Sequence, residues 1–586
     1  MKKHLSLLFA FLLLASLGAG FSARAEDAED RAAEKAVEKT VKTSPENAME
    51  DAGESTETKE TADGAKTENT ENEETPPPEI DFVSIESAGT MSNVREGALG
   101  KGLWKDQKRS DILALLENLP ARHKMLSLQR LKKNLLLSVT SADLIENDIP
   151  PKEGEDLLTI RLQKLIESGL YDEAYDLYTQ NVDDPYHDAL ARIGILLIIY
   201  NGELPTACLE EKVLSKRYGQ GAFWNLLRES CHQELGAEPQ TGETAEAEDT
   251  FRDSPVLKAS YSAEGYAIPS QDQKTLMAMS LLERAILFAR HQVTYDSFTI
   301  EPAALSEIPS PLLTLFIKDE TLPESLFSPL QKEAAARGLV SPEILRKSDE
   351  NYEKIRDMEP GPEQWSALED ILSTESSFPS LVVLSPYIDL ILDNQPDDIA
   401  QDTLLEIVTL MLLNDIRVPP FWIRKMEEAA PENPKNYVYL QTLKALGNSD
   451  VKGTISPKKL TEGLEALKVG DAEQVLAIIE TLDKKSVFDH NPEKFYGNNS
   501  ALTLDGYYVM PSIGLTKQIE TAKKEQQTGL VVLMLLNVLH DKPERIYPET
   551  LRETLEGLQA VGLIEDARKV AKESLARIIQ NNNKGE

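Results

Sequence analysis

LQKLIESGLYDEAYDLY, residues 162–178, holds the pattern that predicts the fold of this chain. An apolar helical stretch ends at Gly169, and a second helical stretch starts almost at once with two acidic residues. Glycine reaches the left-handed backbone conformation that ends a helix, and acidic residues suit the positive end of the next helix. Ala174, one turn into the second helix, is small enough for close helix packing. The stretch therefore predicts an antiparallel helical hairpin.

The same turn recurs along the chain, with a glycine followed five residues later by a small or apolar residue. The further pairs are Gly202 with Ala207, Gly562 with Ala567, Gly470 with Val475 and, more weakly, Gly338 with Glu343. A hairpin of this kind buries its apolar face against a neighbouring hairpin. We therefore expect an all-α fold, an α-solenoid of antiparallel hairpins; the alternative is an irregular helical domain. We allow strands only at residues 378–392 and 506–515.

Two resemblances to known families add to this interpretation. Residues 168–174, with Tyr178 following, resemble the turn between the helices of a tetratricopeptide repeat, and Gly169 to Gly202 spans 33 residues, close to that family's period. The later glycines do not keep this period, so no peptide-binding residues are carried over. The chain is also similar to a group of exported alphaproteobacterial helical proteins. This resemblance gives no information about an activity. The matching stretches are residues 102–120, 130–138 and 557–575.

The N-terminus has the pattern of a secretory signal. Two lysines precede the apolar run at residues 5–21, and Ala23 and Ala25 stand where a signal peptidase reads small residues, so cleavage before Glu26 is predicted. The alternative is an uncleaved membrane anchor, but the run is at the short end of the spanning range. We expect a periplasmic or secreted protein with no stable membrane insertion after cleavage.

Composition divides the remaining chain. Between residues 26 and 80 there are about three acidic residues for each basic one and almost no large apolar residues, which is typical of a disordered segment. The functional interpretation of this segment is a spacer, or an acidic arm for a basic partner. The alternative is a solvated tail that aids solubility. The predicted order is residues 1–25 signal peptide, 26–96 disordered acidic segment, 97–235 N-terminal helical block, 236–255 acidic linker or loop, 256–580 C-terminal helical-repeat block and 581–586 polar tail.

Cys208 and Cys231 are the only cysteines, and they follow an export signal. An even count in an oxidising compartment favours a disulfide. A turn at residues 218–221 would place both cysteines at equal distance from the bend, and therefore level with each other in a helix pair. The alternatives are a redox pair, for which C-x-x-C is absent, and two buried free thiols.

Charge and motifs narrow the function. A net charge of −37 argues against nucleic acid and anionic lipid as partners, since both need a basic face. The seven histidines form no H-x-x-x-H pattern, and no phosphate loop or hydrolase elbow is present, so we expect no cofactor and no metal. Glu375-Ser376-Ser377-Phe378 resembles the start of the lytic transglycosylase motif, but the downstream glycine-rich element is missing.

The predicted function is therefore a non-catalytic scaffold in the cell envelope that binds another protein or a peptide, since stacked hairpins present long recognition surfaces. The alternative is a peptidoglycan-directed enzyme, or a regulator of cell-wall lysis, that carries a helical superhelix. We expect the four tryptophans to lie mostly in the core, although one of them could anchor an interaction surface.

Overall fold

The fold is all-α, as predicted, in the part of the chain that the structure covers. The computed structural model describes residues 81–219, 221–234, 254, 273–293, 295, 305–347, 350–374, 380–449, 455–483, 510–539 and 545–583. These residues contain α-helices, short 3-10 helices and three isolated bridges, but no strand.

In the part of the chain that the structure describes, eight α-helices precede the predicted linker. They are α1 (Phe82–Ser87), α2 (Arg109–Glu117), α3 (Leu126–Leu137), α4 (Leu157–Glu167), α5 (Tyr171–Thr179), α6 (Asp188–Tyr200), α7 (Leu204–Tyr218) and α8 (Ala222–Glu234). Each helix from α3 to α7 packs against the helix that follows it, and α10 packs back onto α6.

The helices after the linker are α9 (Gln273–Ala278), α10 (Leu281–Ala289), α11 (Ser310–Lys318), α12 (Glu324–Ala336), α13 (Glu350–Arg356), α14 (Pro362–Thr374), α15 (Ile388–Asp393), α16 (Gln401–Leu413), α17 (Pro420–Ala429), α18 (Lys435–Ala445), α19 (Pro457–Glu465), α20 (Val469–Leu482), α21 (Ile513–Lys524), α22 (Thr528–Val538), α23 (Pro548–Ala560) and α24 (Ile564–Asn583). The 3-10 helices are Val94–Glu96, Ala142–Leu144, Pro342–Lys347 and Ser380–Tyr387.

Four of the predicted turn glycines have the expected backbone geometry. Gly169, Gly202, Gly338 and Gly562 all have positive φ, at 77°, 80°, 70° and 86°, although a 3-10 helix and not an α-helix follows Gly338. At Gly169 the N–H donates to Ile166 O over 2.9 Å, and the next N–H, from Leu170, donates to Leu165 O over 2.9 Å. This pair of bonds satisfies carbonyls that a helix end would otherwise leave open. The small residues after these turns, Ala174, Ala207 and Ala567, are fully buried.

Gly470 departs from the prediction. It is the second residue of α20 and does not have a positive φ. The preceding helix, α19, ends at Glu465, and Lys468 bridges the gap in an extended conformation with φ −61° and ψ 142°. Because this connection needs no left-handed residue, the glycine enters the next helix instead.

The strand expected at residues 378–392 is wrong. Ser380–Tyr387 form a 3-10 helix and α15 follows directly. The residues at 381–384 are all buried, since the segment packs between α12 and α16, so no solvent-facing alternation exists to favour a strand. The second expected strand begins outside the described residues, and its described end enters α21 at Ile513.

One large hydrophobic core runs through the described chain, from Leu103 to Ile579, and Ala335, Leu345 and Val383 form a small separate cluster. The centre of the large core is α24, which packs against α16, α23, α3, α20 and α18, while α22 packs against α2. An open solenoid brings each repeat only against its neighbours, so α24 closes contacts that a linear array would not make. Apart from Ser254, the residues of the predicted linker lie outside the described chain, and the division into two blocks stays a prediction.

None of the described helices combines the length and the apolar character that crossing a bilayer requires.

Candidate functional site

The first candidate site is the pair of hairpins α4–α5 and α6–α7. The rings of Tyr171 and Tyr200 stack with centroids 3.7 Å apart, and Tyr200 Oη donates to Tyr171 Oη over 2.6 Å. Burial raises the pKa of both phenols, so neither ionises near neutral pH. Gly194 lies against Tyr178, where a β-carbon would overlap the phenol oxygen. These contacts fix the two hairpins side by side.

A disulfide joins the second hairpin to the next helix. Cys208 of α7 and Cys231 of α8 are bonded, with their Cα atoms 5.3 Å apart, and both side chains are buried. The helices meet at the turn after Tyr218, as the spacing predicts, with Gly221 at φ 124°. The bridge closes a loop of 23 residues and fixes α7 covalently to α8.

The most suggestive group for chemistry is a buried cluster of Asp156, Thr159 and His187. His187 Nε2 lies 3.2 Å from Asp156 Oδ2 and 3.1 Å from Thr159 Oγ1. Burial alone would raise the pKa of Asp156, but the hydrogen bonds from His187 and Thr159 outweigh it and lower that pKa. An acid, an imidazole and a hydroxyl in contact resemble the groups of a nucleophilic triad.

The hydrogen bonds of His187 argue against that role. Its Nδ1 accepts the N–H of Leu190 over 3.1 Å and so caps α6. The proton of a neutral imidazole then lies on Nε2, pointing at Asp156, and no lone pair remains to take a proton from Thr159. Asp156 in turn caps α4 by accepting the Thr159 N–H over 2.9 Å. The cluster joins two helix N-termini and is structural.

Two buried arginines hold the segment before α2 in place. Arg109 makes a two-bond ion pair with Glu86, and both side chains are buried. Arg161 donates to three backbone carbonyls, those of Leu136 at 2.6 Å, Ala88 at 2.6 Å and Ser138 at 3.1 Å. Burial lowers the pKa of Arg161 to about 10. All three guanidinium nitrogens of Arg161 donate to these carbonyls, whereas Arg109 uses its two terminal nitrogens on Glu86.

A second junction links the start of α3 to α24. Glu573 is buried and accepts the N–H of Leu126 at 3.0 Å, and the N–H and hydroxyl of Ser127, each at 2.8 Å. Arg577, one turn along α24, donates to the same carboxylate over 3.0 Å. A carboxylate at a helix N-terminus satisfies open N–H groups and the dipole. We call these four residues the α3–α24 junction.

The α3–α24 junction borders a cavity with room for about one water molecule, about 20 Å³. Nearby, Lys132 is fully buried, and its ammonium donates to the carbonyls of Pro120 at 3.1 Å and Ala121 at 2.7 Å. Burial lowers the pKa of Lys132 to about 7, against a smaller opposing effect of Glu167. Neither feature leaves space for an organic ligand.

The outward face of α7 is different, because its side chains are left in solvent. Leu209 is 57% exposed and Val213, one turn later, is 60% exposed. Lys212 and Lys216 are exposed beside them. The opposite face of the same helix is buried and carries Cys208. We call Leu209, Lys212, Val213 and Lys216 the α7 outward face.

The other predicted sites fall as follows. Ala23, Ala25, Glu26 and Glu375 lie outside the described residues, so cleavage and the transglycosylase-like motif stay predictions. All four tryptophans, Trp104, Trp224, Trp365 and Trp422, are buried, which confirms the core interpretation. Across the described ranges, no three His, Cys, Asp or Glu side chains converge as metal ligands.

The sequence did not reveal the buried polar clusters around His187 and Glu573, although Asp156 of the first cluster has a local sequence pattern. Asp156 precedes an apolar helical run and has Thr159 three residues later, the spacing of an N-cap. No local sequence pattern predicts the contacts of His187 with Asp156 or of Glu573 with α3, because these partners lie in other helices. The α7 outward face was also missed.

No protein-family model, curated protein or solved structure matches the chain.

Proposed function

We propose that this chain is a non-catalytic scaffold of the cell envelope that binds another protein or a peptide through tetratricopeptide-like hairpins. The observation that supports it best is the α4–α7 unit. Two Gly-terminated hairpins pack side by side there, and the tyrosine pair and the Cys208–Cys231 disulfide hold them in place. A fixed helical surface of this kind suits recognition, because little ordering is needed on binding.

The buried polar groups support the non-catalytic part of the proposal. Three of these groups form hydrogen bonds with backbone groups at helix ends: the imidazole of His187, the carboxylate of Glu573 and the guanidinium of Arg161. A general base needs a lone pair within reach of a substrate proton, and the first two groups direct theirs at backbone N–H groups.

We place the protein outside the cytoplasm, exported through the predicted signal before Glu26. The disulfide is compatible with an oxidising compartment. N-terminal sequencing of the protein recovered from the periplasm or medium tests this step, and a chain that still begins at Met1 would contradict it.

A pull-down tests the binding function. The mature chain serves as bait in an envelope extract at about 150 mM salt, and an unrelated protein of similar negative charge serves as the control bait. We expect a discrete protein or peptide on the first bait only. Equal retention on both baits, or none, would contradict the scaffold.

A zymogram on purified peptidoglycan tests the alternative. A lytic band given by the wild type and lost in Glu375→Gln would support a peptidoglycan-directed enzyme instead. We expect no band from either protein, and the pull-down to succeed independently of Glu375.

A further inference from the structure

We propose that the α7 outward face is the docking surface for an acidic amphipathic helix of the partner protein. This inference rests on the proposed scaffold function and names the chemistry of the partner. It starts from Leu209 and Val213, which stand four residues apart and therefore form one ridge along the helix. Both are more than half exposed.

The fold holds this ridge rigidly. The buried face of α7, with Ala207, Cys208 and Leu214, packs on α6 and α8, and the disulfide ties it to α8. Glu211 is also buried and pairs with Arg228 of α8 over 3.2 Å. Since α7 cannot rotate to bury Leu209 and Val213, their apolar surface is available to a partner.

The charges beside the ridge select the partner. Lys212 and Lys216 are one turn apart and exposed, and no carboxylate in the described part of the chain forms an ion pair with either. The nearby Arg217 is different, since it pairs with Asp184 over 2.8 Å. A helix with apolar residues at four-residue spacing and glutamates or aspartates along one edge would match both the ridge and the lysines.

The net charge of −37 does not prevent this contact. At physiological salt the Debye length is about 8 Å, so distant acidic residues act only weakly at the ridge. The charges beside it include Lys212 and Lys216 along one side and the exposed Glu210 on the other. A second copy of this chain would place Lys212 and Lys216 against the same residues of the other copy. An anionic membrane would gain only two apolar side chains from this ridge.

The test uses two labelled helical peptides as probes. Both carry leucines at four-residue spacing, and the flanking positions hold glutamate in one peptide and lysine in the other. Fluorescence anisotropy with the full mature chain at about 150 mM salt should show the glutamate peptide binding at least about tenfold tighter, a difference of about 1.4 kcal/mol.

Variants localise the binding. Val213→Asp should abolish it, and the double change Lys212→Glu with Lys216→Glu should reverse the preference between the two peptides. Val94→Asp is the matched control, because Val94 is 68% exposed in a different segment. Circular dichroism confirms that each variant keeps its helical fold.

Several outcomes would overturn the docking surface: equal binding of both peptides, no binding, or an equal loss in Val94→Asp. Preferential binding to vesicles of anionic lipid would overturn it in favour of a membrane, and dimerisation lost in Val213→Asp would overturn it in favour of a second copy. If the docking test fails while the envelope pull-down still retains a partner on Val213→Asp, the surface is wrong and the scaffold function stands.

Discussion

The α3–α24 junction gives the sharpest test of how this fold is held together. Glu573 accepts three hydrogen bonds from Leu126 and Ser127 and a fourth from Arg577, and its side chain is buried. In Glu573→Ala the donors at the start of α3 lose their acceptor, and Arg577 loses its carboxylate partner but keeps its bond to the carbonyl of Lys124. Hydrogen bonds to charged groups contribute about 1.5–3 kcal/mol each.

These contributions are not additive, because they share one carboxylate. Breaking a buried charged contact by removing one partner costs about 3–5 kcal/mol, and we expect the free energy of unfolding to fall by that amount in Glu573→Ala. Glu573→Gln keeps one acceptor oxygen but turns an NH₂ group toward the N–H donors, so about half of that loss is expected.

The measurement is urea unfolding followed by circular dichroism at 222 nm. Glu427→Ala in α17 is the control, because Glu427 is exposed and its loss should change stability by no more than about 0.5 kcal/mol. Hydrogen exchange at the Leu126 and Ser127 amides gives a local readout, and both should lose protection. A midpoint for Glu573→Ala equal to that of Glu427→Ala, with these amides still protected, would refute the capping role.

Three further perturbations test other contacts. Gly529→Ala should lower stability by about 1–3 kcal/mol in thermal melting, because a β-carbon at this position overlaps the indole ring of Trp104. Gly557→Ala is the control and should not lower stability, because a β-carbon there makes only ordinary side-chain contacts at 3.4 Å. Lys132 has a pKa lowered to about 7 from 10.5, so the unfolded state binds more protons between these values and stability should rise with pH, by about 1–3 kcal/mol from pH 7 to 9. Lys132→Met should remove that slope in urea midpoints. Reduction of the Cys208–Cys231 disulfide should cost about 3 kcal/mol in the chain-entropy model, and an unchanged melting temperature under reductant would contradict it.

Local features of this fold could be predicted from the sequence, because their causes lie within a few residues. The left-handed turn at Gly169 follows from a glycine between two helical patterns. The bridge between Cys208 and Cys231 follows from equal spacing about a turn. Gly470 shows the limit of such reasoning, since an extended connection at Lys468 makes the same glycine unnecessary as a helix stop.

Contacts between remote segments could not be predicted in the same way. Leu126 and Glu573 are 447 residues apart, and no local pattern near either one specifies the other. The same holds for His123, whose Nε2 lies 2.8 Å from the carbonyl of Leu536. Such pairs depend on α24 and α22 returning to the N-terminal helices, and that return is set by the packing of the whole core.

The α7 outward face combines both kinds of information. Its sequence offers two apolar rows at helical spacing, one through Leu204, Ala207 and Leu214 with Cys208 beside it, and one through Leu209 and Val213. Periodicity alone does not decide which row is buried, but the disulfide does, because a bonded Cys208 must face α8. Once that row is fixed inward, the other row faces solvent with lysines beside it. The same bond that stabilises the hairpin therefore determines which surface is left to bind a partner.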